Sequence, residues 1–287
     1  MSQLGFKLAK LVKDFKQDSY STRSTRKNIL NLCAKQLLAA GFKLRDPSGL
    51  KPKHIEVLVN QWKAEGIADK TLKNRLSELR WWSRSIGKPN IVARDNSAYS
   101  IGKIKSNPIG KSKELELQKL NNVTCPYVQH SLRLQQAFGL RREEAIKFNV
   151  AYADQGEHIR LKGSWTKGGK YREVPITTNA QRQLINDIRA FTKGGSLIPA
   201  QNNYKQQLGK YERETTNAGL NKNHGLRHHY ARERYLALTG WKCPADGGTS
   251  RKSLSETELA RDVEVRLIIS RELGHERFSI SYTYLGS

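Results

Sequence analysis

The sequence has few of the features that mark membrane, secreted or zinc-binding proteins. It contains no apolar run near the ~18 residues that a bilayer span needs, and its N-terminus has no signal-peptide apolar segment. Its three cysteines, Cys33, Cys125 and Cys243, are isolated, and none forms a C-x-x-C pair. These absences argue against a membrane span, a disulfide framework and a zinc site, and they predict reduced thiols of the cytosol.

Acidic residues are scarce relative to basic ones. The 287 residues include 51 Lys and Arg against 26 Asp and Glu, which gives a formal net charge of +25. The excess is denser in residues 1–110, with 22 basic and 8 acidic residues, than in residues 111–287, with 29 and 18. An imbalance spread over the whole chain indicates a polyanionic partner, and nucleic acid fits this charge and length. Both parts are expected to contact it, the first mainly as a clamp on the phosphate backbone.

The length predicts two domains, because 287 residues exceed one ordinary core. No internal repeat is visible. Apolar periodicity predicts four helices near the N-terminus, at about 4–17, 22–40, 52–65 and 70–86. Periodicity is then lost, and Asn, Ser, Gly, Pro and Lys become frequent. We therefore predict a basic helical domain over 1–95, a linker over 96–111 and a second domain over 112–287, which begins with an amphipathic helix near Ser112.

The fourth helix of the first domain combines apolar and polar faces. Its leucines, together with Trp81, Trp82 and the earlier Cys33, are expected in the core. Its remaining polar side chains are candidates for contact with nucleic acid. They are Lys70, Thr71, Lys73, Asn74, Arg75 and Arg80.

Three separated segments of the second domain carry candidate chemistry. They are the hexapeptide 139–144 with Arg141 and Glu144, the pentapeptide 224–228 with His224, Arg227 and His228, and the tripeptide 273–275 with His275, which Tyr284 follows nine positions later. A tyrosine hydroxyl can attack a phosphodiester while cationic side chains hold the phosphate. Arginine suits that role because its planar fork donates two hydrogen bonds to one phosphate. The last tripeptide is expected to end a helix that begins at a capping box, 255–258, with Gly274 at its C-terminus.

A basic hairpin supplies a candidate lysine. Residues 158–162 and 171–176 alternate as two strands joined through Thr166–Lys170. The connection is rich in Gly and Lys, but it lacks the spacing and the following helix of a nucleotide-binding phosphate loop. Lys167 and Lys170 are the two candidates within it.

In this order, the three segments and the hairpin resemble those of the tyrosine recombinase (phage integrase) family. The similarity extends over about residues 120–287 and, more loosely, over 1–90, where the fourth helix resembles the last helix of a SAM-like core-binding domain. The resemblance implies a mainly α fold with a small antiparallel β-hairpin. It also implies an N-terminal SAM-like helical core-binding domain and an α+β tyrosine recombinase catalytic domain.

The resemblance also assigns roles to residues. It implies that Arg141 and Arg227 clamp the scissile phosphate, that Glu144 braces Arg141, and that Tyr284 is the nucleophile. His224 would donate to a phosphate oxygen or transfer a proton, His275 would donate to the phosphate, and His228 would make a structural hydrogen bond. Lys167 would protonate the departing 5′ oxygen as general acid, with Lys170 as the competing assignment.

The activity so implied is site-specific recombination or integration through a 3′-phosphotyrosyl bond and a Holliday junction. The expected partners are double-stranded DNA, three further copies in a tetramer, and accessory DNA-bending proteins, with no metal and no cofactor. The resemblance further implies a bacterial or phage protein of a mobile element, in the cytoplasm at the nucleoid. Two alternatives stay open: a type IB topoisomerase, and a catalytically idle DNA-binding protein.

Two features depart from the family pattern. His224 and His275 lie 51 residues apart, with a Gly-rich insertion near 239–255 that contains Trp241. Only three residues follow Tyr284, so no C-terminal docking helix is expected. The insertion is therefore expected to take part in assembly, with Trp241 as its anchor, unless Trp241 packs within its own domain. Tyr282 also lies close to Tyr284, and periodicity alone does not choose between them.

Overall fold

In the computed structural model, which describes residues 2–102, 107–275 and 277–287, the chain forms two compact units, Met1–Lys105 and Ser106–Ser287. Part of the predicted linker, residues 103–106, lies outside the described residues. Among the described residues, no helix is both long and apolar enough to cross a membrane.

The first unit is helical. Its helices are α1 (Gln3–Asp14), α2 (Tyr20–Ala39), α3 (Pro52–Ala64) and α4 (Asp69–Ser85). The hydroxyls of Ser2 and Ser19 accept hydrogen bonds from the backbone N–H groups of Gly5 and Thr22. These caps explain why α1 and α2 begin a little before the predicted positions.

Apolar side chains of all four helices form the core of the first unit. Trp62 and Trp82 are fully buried, and their indole N–H groups donate to Gln36 (2.9 Å) and to the carbonyl of Pro47 (3.1 Å). Cys33 and Trp81 are buried too, as the sequence predicts. Val92 and Ile101 belong to the same core, so its packing continues beyond residue 95.

The second unit combines nine helices with one hairpin among its described residues. The helices are α5 (Leu117–Asn121), α6 (Pro126–Phe138), α7 (Arg142–Ile146), α8 (Val150–Ala153), α9 (Asn179–Thr192), α10 (Tyr204–Asn217), α11 (Gly225–Thr239), α12 (Glu256–Glu272) and α13 (Tyr282–Leu285). Helix α11 packs against α6, α12 and α13. It therefore brings three distant parts of the chain together.

The predicted hairpin is confirmed. Strand β1 (His158–Leu161) pairs antiparallel with β2 (Arg172–Pro175), with Leu161 opposite Arg172. Alternate residues of both strands are buried, as expected for strands with one face against a core. The mainly helical fold with one small antiparallel sheet agrees with the sequence prediction.

The helix predicted near Ser112 was wrong, since α5 begins only at Leu117. The preceding backbone is engaged in tertiary hydrogen bonds instead. The N–H of Lys113 donates to the carbonyl of Gly225 (3.1 Å), and that of Leu115 donates to Gln136 (2.6 Å). The backbone N–H groups of this extended segment therefore have hydrogen-bond acceptors without forming a helix.

Candidate active site

Glu144 is the buried anion that organises the first arginine. One carboxylate oxygen accepts from the backbone N–H of Arg141, and the other accepts from its Nη1, both at 2.7 Å. Arg172 of β2 donates to the same carboxylate. Burial by itself opposes ionisation of Glu144, but the charges of Arg172 and Arg141 outweigh it and keep its pKa below the ordinary value. The sequence-predicted brace is therefore in contact with Arg141.

The end of α12 supplies an acceptor that the two predicted clamp arginines share. The carbonyl of Leu273 accepts from Nη2 of Arg141 (3.2 Å) and from Nη2 of Arg227. Carbonyls in the last turn of a helix have no partner within the helix, so this oxygen is available. Gly274 follows with φ +68°, and a Cβ there would lie 2.7 Å from Cδ of Arg172. The predicted helix end and its glycine are confirmed, and both conformation and space require glycine.

Arg227 lies on the first turn of α11 and is only 1% exposed. Its Nε donates to the hydroxyl of Tyr284 (3.1 Å), and its Nη1 donates to the carbonyl of Gly139 (2.5 Å). Burial, with smaller contributions from Arg172 and Arg141, lowers the pKa of Arg227 to about 10. The group is still cationic at neutral pH, and each of its three nitrogens has a protein partner in this structure.

Tyr284 is brought into the cluster, and Tyr282 is not. Both lie on α13, where residues two positions apart diverge. The hydroxyl of Tyr284 lies 3.1 Å from Nε of Arg227 and 3.4 Å from Nε2 of His275, and the residue is 4% exposed. The hydroxyl of Tyr282 instead accepts a hydrogen bond from Arg251 (2.5 Å). A phenol beside a guanidinium and an imidazole can lose its proton as it attacks an electrophile.

Three histidines surround Tyr284, and the structure favours their neutral forms. Burial and then Arg227 lower the pKa of His275 to about 4, while burial and then His224 lower the pKa of His228 to about 4. Partial loss of hydration and then the charge of Arg227 also lower the pKa of His224. The ring of His228 lies 4.7 Å from that of Tyr284 and the ring of His224 lies 6.3 Å from it. Neutral imidazoles can accept as well as donate a proton.

The structural hydrogen bond that the resemblance implied for His228 is not found among the described residues. Its side chain is buried, yet among the described residues its Nδ1 has no hydrogen-bond partner. The helix brings its ring against the rings of Tyr284 and His224 (5.5 Å). Packing against the tyrosine is therefore its structural contribution.

Lys167 and Lys170 line one cavity of about 660 Å³, whose wall also includes Arg141, Arg172 and His275. The cavity continues past Arg271 and Arg277, so basic groups surround it on several sides. Both candidate lysines therefore share this cavity with Arg141. Within the described ranges, no group of three His, Cys, Asp or Glu side chains is arranged to hold a metal ion.

The candidate DNA contacts of α4 differ in how free they are. Lys70, Thr71 and Asn74 are exposed. Arg75 lies over the ring of Trp62 (5.0 Å), whereas Arg80 donates to the carbonyl of Ala93 (2.9 Å) and to Asn96 (2.8 Å). Lys73 is half-buried. The polar face of α4 therefore contains solvent-facing groups and two arginines, Arg75 and Arg80, engaged within the unit.

Sequence reasoning missed Arg172. Its guanidinium pairs with Glu144 and donates to the carbonyl of Glu272, so it joins the hairpin to α7 and α12. The strand pattern contained a signal for its burial, because Arg172 lies two positions before Val174 and therefore on the same, buried face of β2. A cation on an apolar strand face requires a buried acidic partner.

The expectation that Trp241 anchors an interface is not supported by its position. Its indole N–H donates to the hydroxyl of Tyr235 (3.2 Å), and its ring packs against the core of the second unit. The structure places it within its own domain, which was the open alternative. The insertion around it contacts the segment that carries Tyr284.

Comparisons with known proteins extend over both units. Residues 1–92 match the family model described as phage integrase, N-terminal, and residues 112–233 match the model described as integrase. A comparison with curated protein sequences gives no significant match.

Solved structures share the fold at low sequence identity. The Tn1549 transposon integrase (residues 82–397), in complex with circular intermediate DNA, is 14% identical with a TM-score of 0.60, and the alignment covers 100% of this chain and 96% of that one. A lambda integrase tetramer bound to a Holliday junction is 14% identical with a TM-score of 0.60, covering 97% and 76%. The XerH site-specific recombinase, in a post-cleavage complex with palindromic difH substrate, is 17% identical with a TM-score of 0.57, covering 98% and 80%.

The two family models, the shared fold and the cluster of Arg141, Arg227, His275 and Tyr284 agree with one another. The chain belongs to the phage integrase (tyrosine recombinase) family.

Proposed function

We propose that this protein is a site-specific DNA recombinase that cleaves and rejoins double-stranded DNA through a 3′-phosphotyrosyl intermediate. One observation carries the proposal: the hydroxyl of Tyr284 lies 3.1 Å from Arg227 and 3.4 Å from His275. Arg141 contacts the same Leu273 carbonyl as Arg227. Nucleophile and cations therefore meet at one point, as attack on a phosphodiester requires.

In the cleavage step one bond forms as another breaks, and each transferred proton has a donor and an acceptor. The oxygen of Tyr284 forms a bond to phosphorus as the bond from phosphorus to the 5′ oxygen breaks. The phenol proton passes to a neutral imidazole, for which His275 is the nearest described candidate. The departing 5′ oxygen takes a proton from Lys167 or Lys170, and attack by a 5′ hydroxyl later reverses the step.

The arginines supply the charge that stabilises the transition state. Arg141 keeps one nitrogen on Glu144 and one on Leu273, which fixes the plane of its fork. In the free protein all three nitrogens of Arg227 donate to protein groups, so Arg227 must give up one of these hydrogen bonds to bind a phosphate. The hydrogen bond to Tyr284 is suited to this exchange, because the tyrosine oxygen is a weaker acceptor once it is bonded to phosphorus. Arg141 and Arg227 can take over the charge-neutralising role of metal ions, and retention of the bond energy in the tyrosyl link removes the need for ATP.

Assembly on DNA follows from the same proposal. The lambda integrase structure is a tetramer on a Holliday junction, and the Tn1549 and XerH proteins are also bound to DNA. We extend this arrangement to the present chain, with a homo-tetramer on two specific DNA sites. The net charge of +25 is consistent with extensive phosphate contacts. Action on a mobile element, location at the nucleoid and help from DNA-bending proteins belong to the same hypothesis.

Two other functions use parts of the same site. A type IB topoisomerase would form the same tyrosyl bond but would relax DNA without exchanging strands. In a catalytically idle DNA-binding protein, Arg227 would keep its hydrogen bonds to the protein, and no covalent bond to DNA would form. The engagement of all three nitrogens of Arg227 is the feature that such a protein would share.

Covalent capture on a nicked suicide substrate tests the proposal. We expect a protein–DNA adduct in excess EDTA, with a nucleotide on Tyr284 by peptide mass spectrometry. Tyr284→Phe should bind DNA within a few fold of wild type and form no adduct. A nucleotide on Tyr282 would disprove the assignment of the nucleophile, and adduct formation that depends on added magnesium would disprove the metal-independent mechanism.

The assay also separates the alternatives. Strand exchange between two DNA sites, detected as recombinant products, distinguishes the recombinase from a topoisomerase that only relaxes supercoils. The absence of any tyrosyl adduct at saturating DNA would leave the idle DNA-binding function.

A further inference from the structure

The insertion of residues 240–255 packs against the short helix that carries the proposed nucleophile. Its turn Pro244–Asp246 contacts α13. The contact is close, because a Cβ placed on Gly286 would lie 2.9 Å from the backbone nitrogen of Ala245. The insertion is thus part of the surroundings of Tyr284.

Arg251 is the side chain through which the insertion reaches α13. Its Nη1 donates to the hydroxyl of Tyr282 at 2.5 Å, and its guanidinium lies 5.2 Å from the ring of Phe278. On its other side, its Nε donates to Asp262 of α12 at 2.7 Å. Arg251 therefore bridges α12 to the first residue of α13.

The buried carboxylate of Asp262 holds Arg251 in this position. It is fully buried, and besides Arg251 it accepts hydrogen bonds from Tyr235 and from Arg266, both at 2.7 Å. Arg266 in turn donates to the carbonyl of Gly286 (2.8 Å) and lies 5.2 Å from the ring of Tyr282. The network holds the start of α13 and the residue just after it.

A second contact holds the middle of α13. The Nε of Arg232, on α11, donates to the backbone carbonyl of Tyr284 at 3.3 Å. Its Nη1 donates to Asp246 and to the carbonyl of Ala245 (3.4 Å), both in the insertion. The insertion therefore holds Arg232 in place, and Arg232 in turn binds the backbone carbonyl of Tyr284.

We propose that Tyr282 is a positioning residue and that Arg251 is the latch that holds it. Because Tyr282 and Tyr284 occupy opposite sides of a one-turn helix, a fixed Tyr282 hydroxyl sets the direction of the Tyr284 side chain. The latch acts within one protomer and keeps the Tyr284 hydroxyl at Arg227 and His275. The catalytic part of this inference rests on the proposed function, whereas its structural part does not.

The structural part is tested on the free full-length protein by hydrogen–deuterium exchange. Arg251→Gln and Tyr282→Phe should each speed exchange of the peptide 278–287 roughly tenfold, because each removes a charge-assisted hydrogen bond. Lys252→Gln is the matched control, since it removes the same charge from the next, exposed residue of the insertion. Wild-type exchange in both test variants would overturn the latch, as would equally fast exchange in the control.

The catalytic part is tested by single-turnover cleavage of a saturating nicked substrate. Arg251→Gln and Tyr282→Phe should form the Tyr284 adduct roughly tenfold more slowly while DNA affinity stays within twofold of wild type. The double variant should be no slower than the slower single variant, because both substitutions remove the same hydrogen bond, the one between Arg251 and Tyr282. Arg251→Lys, which can still donate to Tyr282, should recover part of the rate.

Unchanged or faster cleavage in both single variants would overturn the catalytic role. If wild type itself forms no adduct, the proposed function fails, and the exchange experiment still decides whether the latch exists.

Discussion

Glu144 has no exposed side-chain surface, yet it remains the anion on which two arginines depend. Arg172 is almost as buried, and both Arg172 and Arg141 donate to this one carboxylate. A buried charge that loses its partner is far more costly than an exposed one. The brace and the arginines must therefore be considered together.

Replacement of Glu144 should reveal that dependence. We expect Glu144→Gln to lower the free energy of unfolding by about 3–5 kcal/mol, because it leaves buried Arg172 without a countercharge. Urea denaturation measures the change. Glu212→Gln removes a carboxylate from an exposed pair with Arg142 and should cost at most about 1 kcal/mol. Equal losses in the two variants would contradict the role given to Glu144.

The histidines around Tyr284 predict a loss of stability in mild acid. Their folded pKa values are below the unfolded value of 6.5, and those of His228 and His275 are about 4. Between about pH 6.5 and 4 the unfolded chain therefore binds more protons, so the free energy of unfolding falls as pH falls. Urea denaturation at pH 7, 6 and 5 should show this fall.

A variant isolates the contribution of one histidine. His228→Gln should reduce the slope of stability against pH in that window, because it removes a group whose folded pKa is about 4. Glu144 adds its own loss only below its ordinary pKa of 4.5, outside most of this range. A slope that His228→Gln leaves untouched would contradict the assignment.

The two lysines of the hairpin can be separated by the leaving group. A general acid is needed when the leaving group is a 5′ alkoxide and much less when it is a 5′ thiolate, because a thiol is far more acidic. We expect Lys167→Ala to slow cleavage of ordinary DNA by about 10²–10⁴-fold and to recover on a 5′-bridging phosphorothiolate. Lys170→Ala should show less of both effects. The reverse pattern would assign the role to Lys170.

At the scale of elements, local sequence signals predicted α12 and the hairpin well. Ser255 and Glu258 form the expected capping box, and the alternation of 158–161 and 172–175 gives paired strands. These signals lie within a few residues of the structure they specify. The extended segment before α5 and the packing of Trp241 depend on tertiary partners, so periodicity could not reveal them. One such partner is Gly225, which lies more than 100 residues beyond Lys113.

The site follows the same division. The motif order predicted the residues that meet at Tyr284, but not the atoms that join them. Two of those atoms are the backbone carbonyls of Gly139 and Leu273, and a carbonyl has no signature in a side-chain pattern. Periodicity could not separate Tyr282 from Tyr284, and only the resemblance, through the spacing of nine residues from His275, selected Tyr284. The structure gives the two hydroxyls different partners.

Gly274 tests the end of α12 as an element. Ala at φ +68° is strained, and its Cβ would also meet Arg172 at 2.7 Å. Gly240, with φ +84° and no atom within 4 Å of a Cβ, is a matched control for strain alone. We expect Gly240→Ala to lower the free energy of unfolding by about 1 kcal/mol and Gly274→Ala to lower it more and to slow cleavage. Equal stability losses would show that the contact with Arg172 is unimportant.

At the scale of the whole molecule, each unit has a core of its own. The fragment 1–102 should therefore bind DNA by itself, with a logarithm of affinity that falls linearly with the logarithm of salt concentration. Lys70→Gln should reduce the slope by about 1. Arg80→Gln should change it less, because that guanidinium is engaged by Ala93 and Asn96. Lack of binding at low salt would contradict the clamp.

The shared carbonyl of Leu273 has a consequence for how this site can be probed. Every side chain at position 273 offers the same oxygen, so a mutational scan would report only the packing of a buried leucine and miss the tie between Arg141 and Arg227. Chemical synthesis can reach it. An ester in place of the amide between residues 273 and 274 would weaken that oxygen as an acceptor while leaving all side chains intact.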